Sequence, residues 1–122
     1  ILPRPLSVII TAVLYCPPWY DVPSRKSLIA YIISSIDELN RKFDHPGFLF
    51  VGDFNSLETD FFRSRLQFRQ LVKNHTRGDR ILDKVFTNLH QFYSDAVVSA
   101  PLGRSDHNCV ILRPADRILM LQ

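Results

Sequence analysis

Two short acidic motifs carry the residues best suited to chemistry: Val51-Gly52-Asp53-Phe54-Asn55 and Arg104-Ser105-Asp106-His107-Asn108. Each lies where an apolar run meets a loop, the place where a sheet presents reactive groups to solvent. The run Gly47-Phe48-Leu49-Phe50-Val51 has the length and residue types of a strand and stops at Gly52. The run Cys109-Val110-Ile111-Leu112 starts just after His107. If these strands are antiparallel or near neighbours in one sheet, two carboxylates, an amide and an imidazole meet at one edge. That set suits phosphate-ester hydrolysis: hard oxygens for Mg²⁺, a base or water-orienting group, and donors for a phosphoryl oxygen.

The elements that must position these groups follow from hydrophobic patterning. Residues Leu6 to Tyr15 form a near-continuous apolar strand, as expected when both faces are covered, and Pro17 and Pro18 end it. The segment Val8 to Leu14 is too short to span a membrane, is β-branched and lacks a cleavage pattern, so it reads as a strand and not a leader. Leu28, Ile29, Ile32, Ile33, Ile36, Leu39 and Phe43 recur at helical spacing behind Ser24, a good N-cap, which predicts a helix from Arg25 to Lys42. His45-Pro46-Gly47 breaks it. Strand, helix and strand in that order predict a right-handed crossover between parallel neighbours.

Beyond the first motif, Phe61, Phe62, Leu66, Phe68 and Leu71 fit neither period; a loop or short helix at 60–66 and an extended piece at 69–73 are expected. Leu82–Thr87, Asp95–Ala100 and Cys109–Leu112 read as strands, with a turn at Pro101-Leu102-Gly103. The folded domain is expected over 1–113. Residues 114–122 read as a tail or linker, in which Ile118, Leu119, Met120 and Leu121 either pack elsewhere or belong to the linker.

At 122 residues the chain is one domain's worth, and 46% hydrophobic against 22% charged residues marks it as folded and not disordered. A formal charge of +3 is compatible with nucleic acid without demanding it. Cys16 and Cys109 have no metal-ligand spacing and read as two reduced thiols. The expected setting is intracellular, nucleus or cytoplasm, neither secreted nor at a membrane.

Taken together, Gly52-Asp53-Phe54-Asn55 and Ser105-Asp106-His107 resemble the two C-terminal signature motifs of the endonuclease/exonuclease/phosphatase superfamily. Leu14-Tyr15-Cys16-Pro17-Pro18 resembles the tyrosine-bearing strand end of that fold. Thr76-Arg77-Gly78, followed by Leu82-Asp83-Lys84-Val85-Phe86-Thr87-Asn88, is similar to a stretch of the endonuclease domains of non-LTR retrotransposons, which are apurinic/apyrimidinic endonuclease-like. The motifs stand in family order over roughly residues 7–113. The family's fold is a four-layer α/β sandwich of two mixed sheets with helices outside, built from two similar halves. The resemblance therefore implies an α/β chain with a mixed sheet and flanking helices, the C-terminal half of such a sandwich. The family's asparagine and metal-holding glutamate belong to the other half; Glu38 and Glu58, the glutamates of this chain, precede no matching strand end.

The resemblance also implies roles. Asp53 orients or deprotonates the attacking water, and Asp53 with Asp106 contacts Mg²⁺, for which Mn²⁺ can substitute. Asn55 and His107 contact the scissile phosphate, and Asp83 pairs with His107 and raises its pKa. Tyr15 helps orient the phosphate or the metal ligands. Arg77, with Asn55, touches DNA. Ordinary structural readings stand beside these: a polar turn for Asp53, an Asx turn for Asn55, a strand edge for Asp83, core packing for Tyr15 and a solvated surface for Arg77. His45, His75 and His90 read as surface residues.

The implied activity is Mg²⁺-dependent nicking of DNA. Its partners are DNA, the N-terminal half of the domain and, in a full-length element, a downstream reverse transcriptase. A phosphatase of the same superfamily, and an inactive remnant that only binds nucleic acid, are the alternatives. As a half-domain without the metal-holding glutamate, the chain is expected to be inactive alone. It is also expected to expose a large apolar sheet face on the side away from its helix.

Overall fold

The computed structural model describes residue 2 and residues 4–115. Its elements, in order, are β1 (Ile9–Tyr15), α1 (Val22–Lys42), β2 (Gly47–Asp53), α2 (Asp60–Ser64), β3 (Arg69–Gln70), β4 (Asp83–Thr87), a 3-10 turn at His90–Phe92, β5 (Val97–Ser99) and β6 (Cys109–Ile111). One sheet has the order β1-β2-β4-β3, and β5 pairs with β6 separately. The strands β1 and β2 are parallel, whereas β4 is antiparallel to both β2 and β3. The chain is thus a mixed α/β fold with a mixed sheet, and α1 makes the parallel connection expected of it.

The helix α1 begins earlier than Ser24 suggests. Asp21 is the cap: its carboxylate accepts the Ser24 N–H at 2.9 Å, and hydrogen bonding to the Ser24 side chain, then to its backbone, holds the Asp21 carboxyl below its ordinary pKa. Pro23 sits in the first turn, where a missing N–H costs nothing. At the other end Arg41 and Lys42 face the negative pole of the helix dipole.

Strand alternation divides the core in two. Towards α1, Ile10, Ala12 and Leu14 of β1, Phe48 and Phe50 of β2, and Phe86 of β4 pack with Ile32 and Ile36. Phe62 is fully buried and stacks on Phe86 at 4.1 Å between centroids. Its neighbours Phe50, Phe54 and Phe68 complete an aromatic cluster. The 60–68 segment shows no period because α2 has only five residues and Gln67 then turns the chain with φ 60°.

The opposite face carries Leu49, Val51 and Val85, which meet Leu71, Val72, Ala96, Val98, Val110 and Leu112. The expectation of a wholly exposed second face is therefore corrected: the β5–β6 pair covers β2 and β4. Among the described residues, the part of this face left bare is the β1 edge, with Val13 83% and Tyr15 57% exposed. The folded part also passes the expected boundary at 113. Ser94 N–H donates to the Arg113 carbonyl at 3.0 Å and Ala115 N–H to the Phe92 carbonyl at 2.9 Å. Ile118, Leu119, Met120 and Leu121 lie outside the described residues. Among those described, no helix is long and apolar enough to cross a membrane.

Candidate active site

The register places Tyr15 opposite Asp53, and Asp53 opposite Asp83. These side chains form a row across β1, β2 and β4 at one end of the sheet, on the face away from α1. The next row inward is Val13, Val51 and Val85. Gly52 between them is obligatory: a Cβ there would lie 1.8 Å from the Leu14 carbonyl oxygen. Its absence lets β1 close against β2 at the point where the acidic row begins.

His107 reaches this row, but not through pairing of its strand with β2, since β6 belongs to the separate β5–β6 pair. The connection is Thr76, which is fully buried. Its hydroxyl oxygen accepts the N–H groups of Leu82 at 3.0 Å and Asp83 at 3.1 Å, fixing the start of β4. Its carbonyl accepts the Asn108 N–H at 2.6 Å, fixing the loop before β6. The Asn108 amide adds a bond to the His75 carbonyl at 3.2 Å. The turn itself is closed by Thr76 N–H to the Arg80 carbonyl at 2.9 Å, with Gly78 at φ 56°. The stretch 76–88 thus contains the fastener that brings the two acidic motifs together. Sequence reading gave Thr76 no role; a hydroxyl residue just before a glycine turn was the available signal.

Within the site, His107 Nδ1 lies 2.6 Å from Asp83 Oδ2. With Asp83 ionised, Nδ1–H is the donor. The other ring nitrogen, Nε2, lies 3.7 Å from Asp53 Oδ2 and 3.9 Å from Asp106 Oδ1. The His107 pKa is raised, first by the hydrogen bond to Asp83 and then by the charges of Asp83, Asp53 and Asp106, against an opposing effect of burial. The expected Asp83–His107 pairing is present in the geometry. His107 N–H also donates to Ser105 Oγ at 3.1 Å, an ST-type turn that sets the approach of the loop.

Asn55 is built into the strand end. Its N–H donates to Asp53 Oδ1 at 3.1 Å, an Asx turn, and its side-chain amide donates to the Cys16 carbonyl at 2.7 Å. One amide N–H and the carbonyl oxygen remain for a ligand. Asp106 stands apart: it is 65% exposed and lies 2.8 Å from the Arg77 guanidinium. Arg77 is therefore held by Asp106, and the expected DNA contact competes with that ion pair. Tyr15 is exposed beside Asp53. A groove of about 340 Å³ runs from Asp53 and Asp83 along Val51, Val85, Val110 and Leu112, so the acidic row opens onto an apolar trough. His45 and His75 are exposed as expected, but His90 is half-buried, and burial lowers its pKa.

Asp53, Asp83 and His107 each offer a ligand atom within 4.8 Å of the others, close enough to hold a metal ion. Asp106, expected as a ligand beside Asp53, is outside that group. The chemistry of the set decides how it fits. Mg²⁺ prefers an octahedron of oxygens, and an imidazole ligates only when neutral. Asp83 favours the protonated His107, which takes the imidazole out of the set and leaves the carboxylates of Asp53 and Asp83, each already engaged in one hydrogen bond. Neither glutamate supplements them, because Glu38 lies on α1 and Glu58 pairs with Arg25 at 3.8 Å. Comparison of the chain with known protein families, with curated proteins and with solved structures finds no match.

Proposed function

We propose that this chain is the C-terminal half of an endonuclease/exonuclease/phosphatase-type domain that nicks DNA by metal-dependent phosphodiester hydrolysis, as in non-LTR retrotransposons. The observation that carries this reading is the line Asp83–His107–Asp53. One carboxylate holds the imidazole at 2.6 Å, and the other lies 3.7 Å beyond its far nitrogen. At 3.7 Å the two groups do not bond each other, but one oxygen fits about 2.8 Å from both. A water or phosphoryl oxygen placed there meets a base on one side and a cationic donor on the other.

In this reading Asp53 accepts the proton of the attacking water. His107 donates from Nε2 to the phosphoryl oxygen where negative charge develops, and Asp83 fixes its tautomer and charge. Tyr15, opposite Asp53 on β1, and Asn55, whose N–H donates to Asp53 Oδ1, are the neighbouring polar residues. A Mg²⁺ ion, held by Asp53 together with oxygens from the remainder of the domain, would supply charge neutralisation at the phosphate. The bare outer edge of β1 supports a half-sandwich, since Val13 and Tyr15 are residues that a second sheet would cover.

The test is nicking of supercoiled plasmid by the intact domain in Mg²⁺. Asp53→Asn and His107→Ala are each expected to lower turnover about a hundredfold or more. The 1–122 chain alone is expected to nick little. Wild-type rates in either variant remove that residue from the mechanism, and efficient nicking by 1–122 alone refutes the half-domain reading.

A further inference from the structure

We propose that Trp19 is a nucleobase-stacking residue that holds the strand next to the Asp53–His107 site. This rests on the nucleic-acid reading above and adds a contact that it does not supply. Trp19 is 74% exposed, although tryptophan is the side chain with most to gain from burial. Its placement is fixed by the backbone. Pro17-Pro18-Trp19-Tyr20 forms a turn closed by Tyr20 N–H to the Pro17 carbonyl at 3.2 Å, and the prolines restrict its φ angles.

Both ends of that turn are tied down. On the near side, Cys16 is fully buried, its N–H donates to the Asp53 carbonyl at 2.9 Å, and its carbonyl accepts from Asn55 at 2.7 Å. On the far side, Arg25 Nη1 donates to the Tyr20 carbonyl at 2.7 Å. The Trp19 Cα therefore lies within about 11 Å of the Cys16 Cα, a span of a few nucleotides along a strand. A rigid turn that leaves the site and presents an indole to solvent is a stacking platform. An aromatic face accepts any base, so the contact positions the strand without reading its sequence.

Trp19 is the only tryptophan of the chain, so its fluorescence reports the contact directly. The 1–122 chain is titrated in metal-free buffer with a fluorescently end-labelled single-stranded DNA of about 12 nucleotides. A parallel titration uses an abasic strand of the same length. Binding is followed independently by the anisotropy of the label. The base-bearing strand is expected to quench Trp19, and the abasic strand to leave it nearly unchanged. Trp19→Ala is expected to weaken binding about tenfold, and Trp19→Phe to retain most of it. Quenching is read without cleavage, so failed nicking by the intact domain with intact quenching rejects the hydrolytic reading alone. Intact nicking with unquenched Trp19 at saturation rejects the stacking proposal alone. Equal quenching by the abasic strand, or no binding of the base-bearing strand, also overturns it.

Discussion

Asp83→Asn isolates the charge in the Asp83–His107 contact. The asparagine carbonyl oxygen can still accept the Nδ1–H bond, so shape and a neutral hydrogen bond survive. What is lost is the extra strength of a bond between ions. A hydrogen bond to a charged group contributes about 1.5–3 kcal/mol and a neutral one about 0.5–1.5 kcal/mol. His107 and Asp83 are 24% and 23% exposed, so water screens the pair and the smaller differences apply. The expected charge contribution is about 1 kcal/mol.

Its pH dependence has a definite sign. His107 titrates higher in the folded chain than its ordinary value of 6.5. The stabilisation from its protonation is fully present below that ordinary value and disappears as pH rises through the raised one. Asp83→Asn is therefore expected to be less stable than wild type by about 1 kcal/mol near pH 5.5, and the two curves converge on the alkaline side. Urea unfolding over a pH series measures this, and NMR titration of the His107 ring should show its midpoint moving down in the variant. Parallel stability curves, or an unmoved His107 midpoint, would refute the assignment of Asp83 as the group that charges the imidazole.

Thr76→Val removes the acceptor of one buried and one half-buried N–H group at nearly constant volume; it is expected to cost about 2 kcal/mol and to speed hydrogen exchange at Asn108. Phe62→Ala, at a fully buried ring stacked on Phe86, is expected to cost about 3–5 kcal/mol in urea unfolding while leaving the His107 titration in place. Gly52→Ala places a methyl group 1.8 Å from the Leu14 carbonyl, and a loss above about 3 kcal/mol or failure to fold is expected. A Gly52→Ala variant as stable as wild type would show that β1 and β2 do not close as described.

What the sequence disclosed follows from how local each feature is. The helix ending at Lys42 was legible because its apolar residues keep one period for several turns, and the second strand because Phe48 to Val51 is an unbroken apolar run, although the strand continues two residues past the expected stop, to Asp53. The helix start was misread because Asp21 and Ser24 are both good caps, and only the direction of the hydrogen bond shows which one serves. The 60–71 segment keeps no period, because α2 ends after one turn and its phenylalanines answer to Phe50 and Phe86 on distant strands, yet the short helix and extended piece expected there are present as α2 and β3. At the site, Asp53 stood out at the end of an apolar run, whereas Asp83 was named only through the family resemblance. The pairing of Asp106 with Arg77 was not legible, since it depends on two loops meeting across the Thr76 turn. Placing His107 by strand pairing named the right neighbour through the wrong connection.

The two halves of the site are held with unequal stiffness. Tyr15, Asp53 and Asp83 stand on adjoining strands whose backbone bonds fix their spacing. His107 arrives on the segment 101–106, every residue of which is exposed. Its ties are the Thr76 carbonyl behind it, the Ser105 hydroxyl beside it and the Asp83 carboxylate in front. Only the last of these strengthens when the imidazole takes up a proton. Protonation thus does two things through one bond: it places a positive charge facing Asp53 and draws the ring against Asp83. Loss of the proton weakens the donor and its placement together. A loop-borne imidazole can be positioned within a sheet-borne row because the bond that orients it is also the bond that charges it.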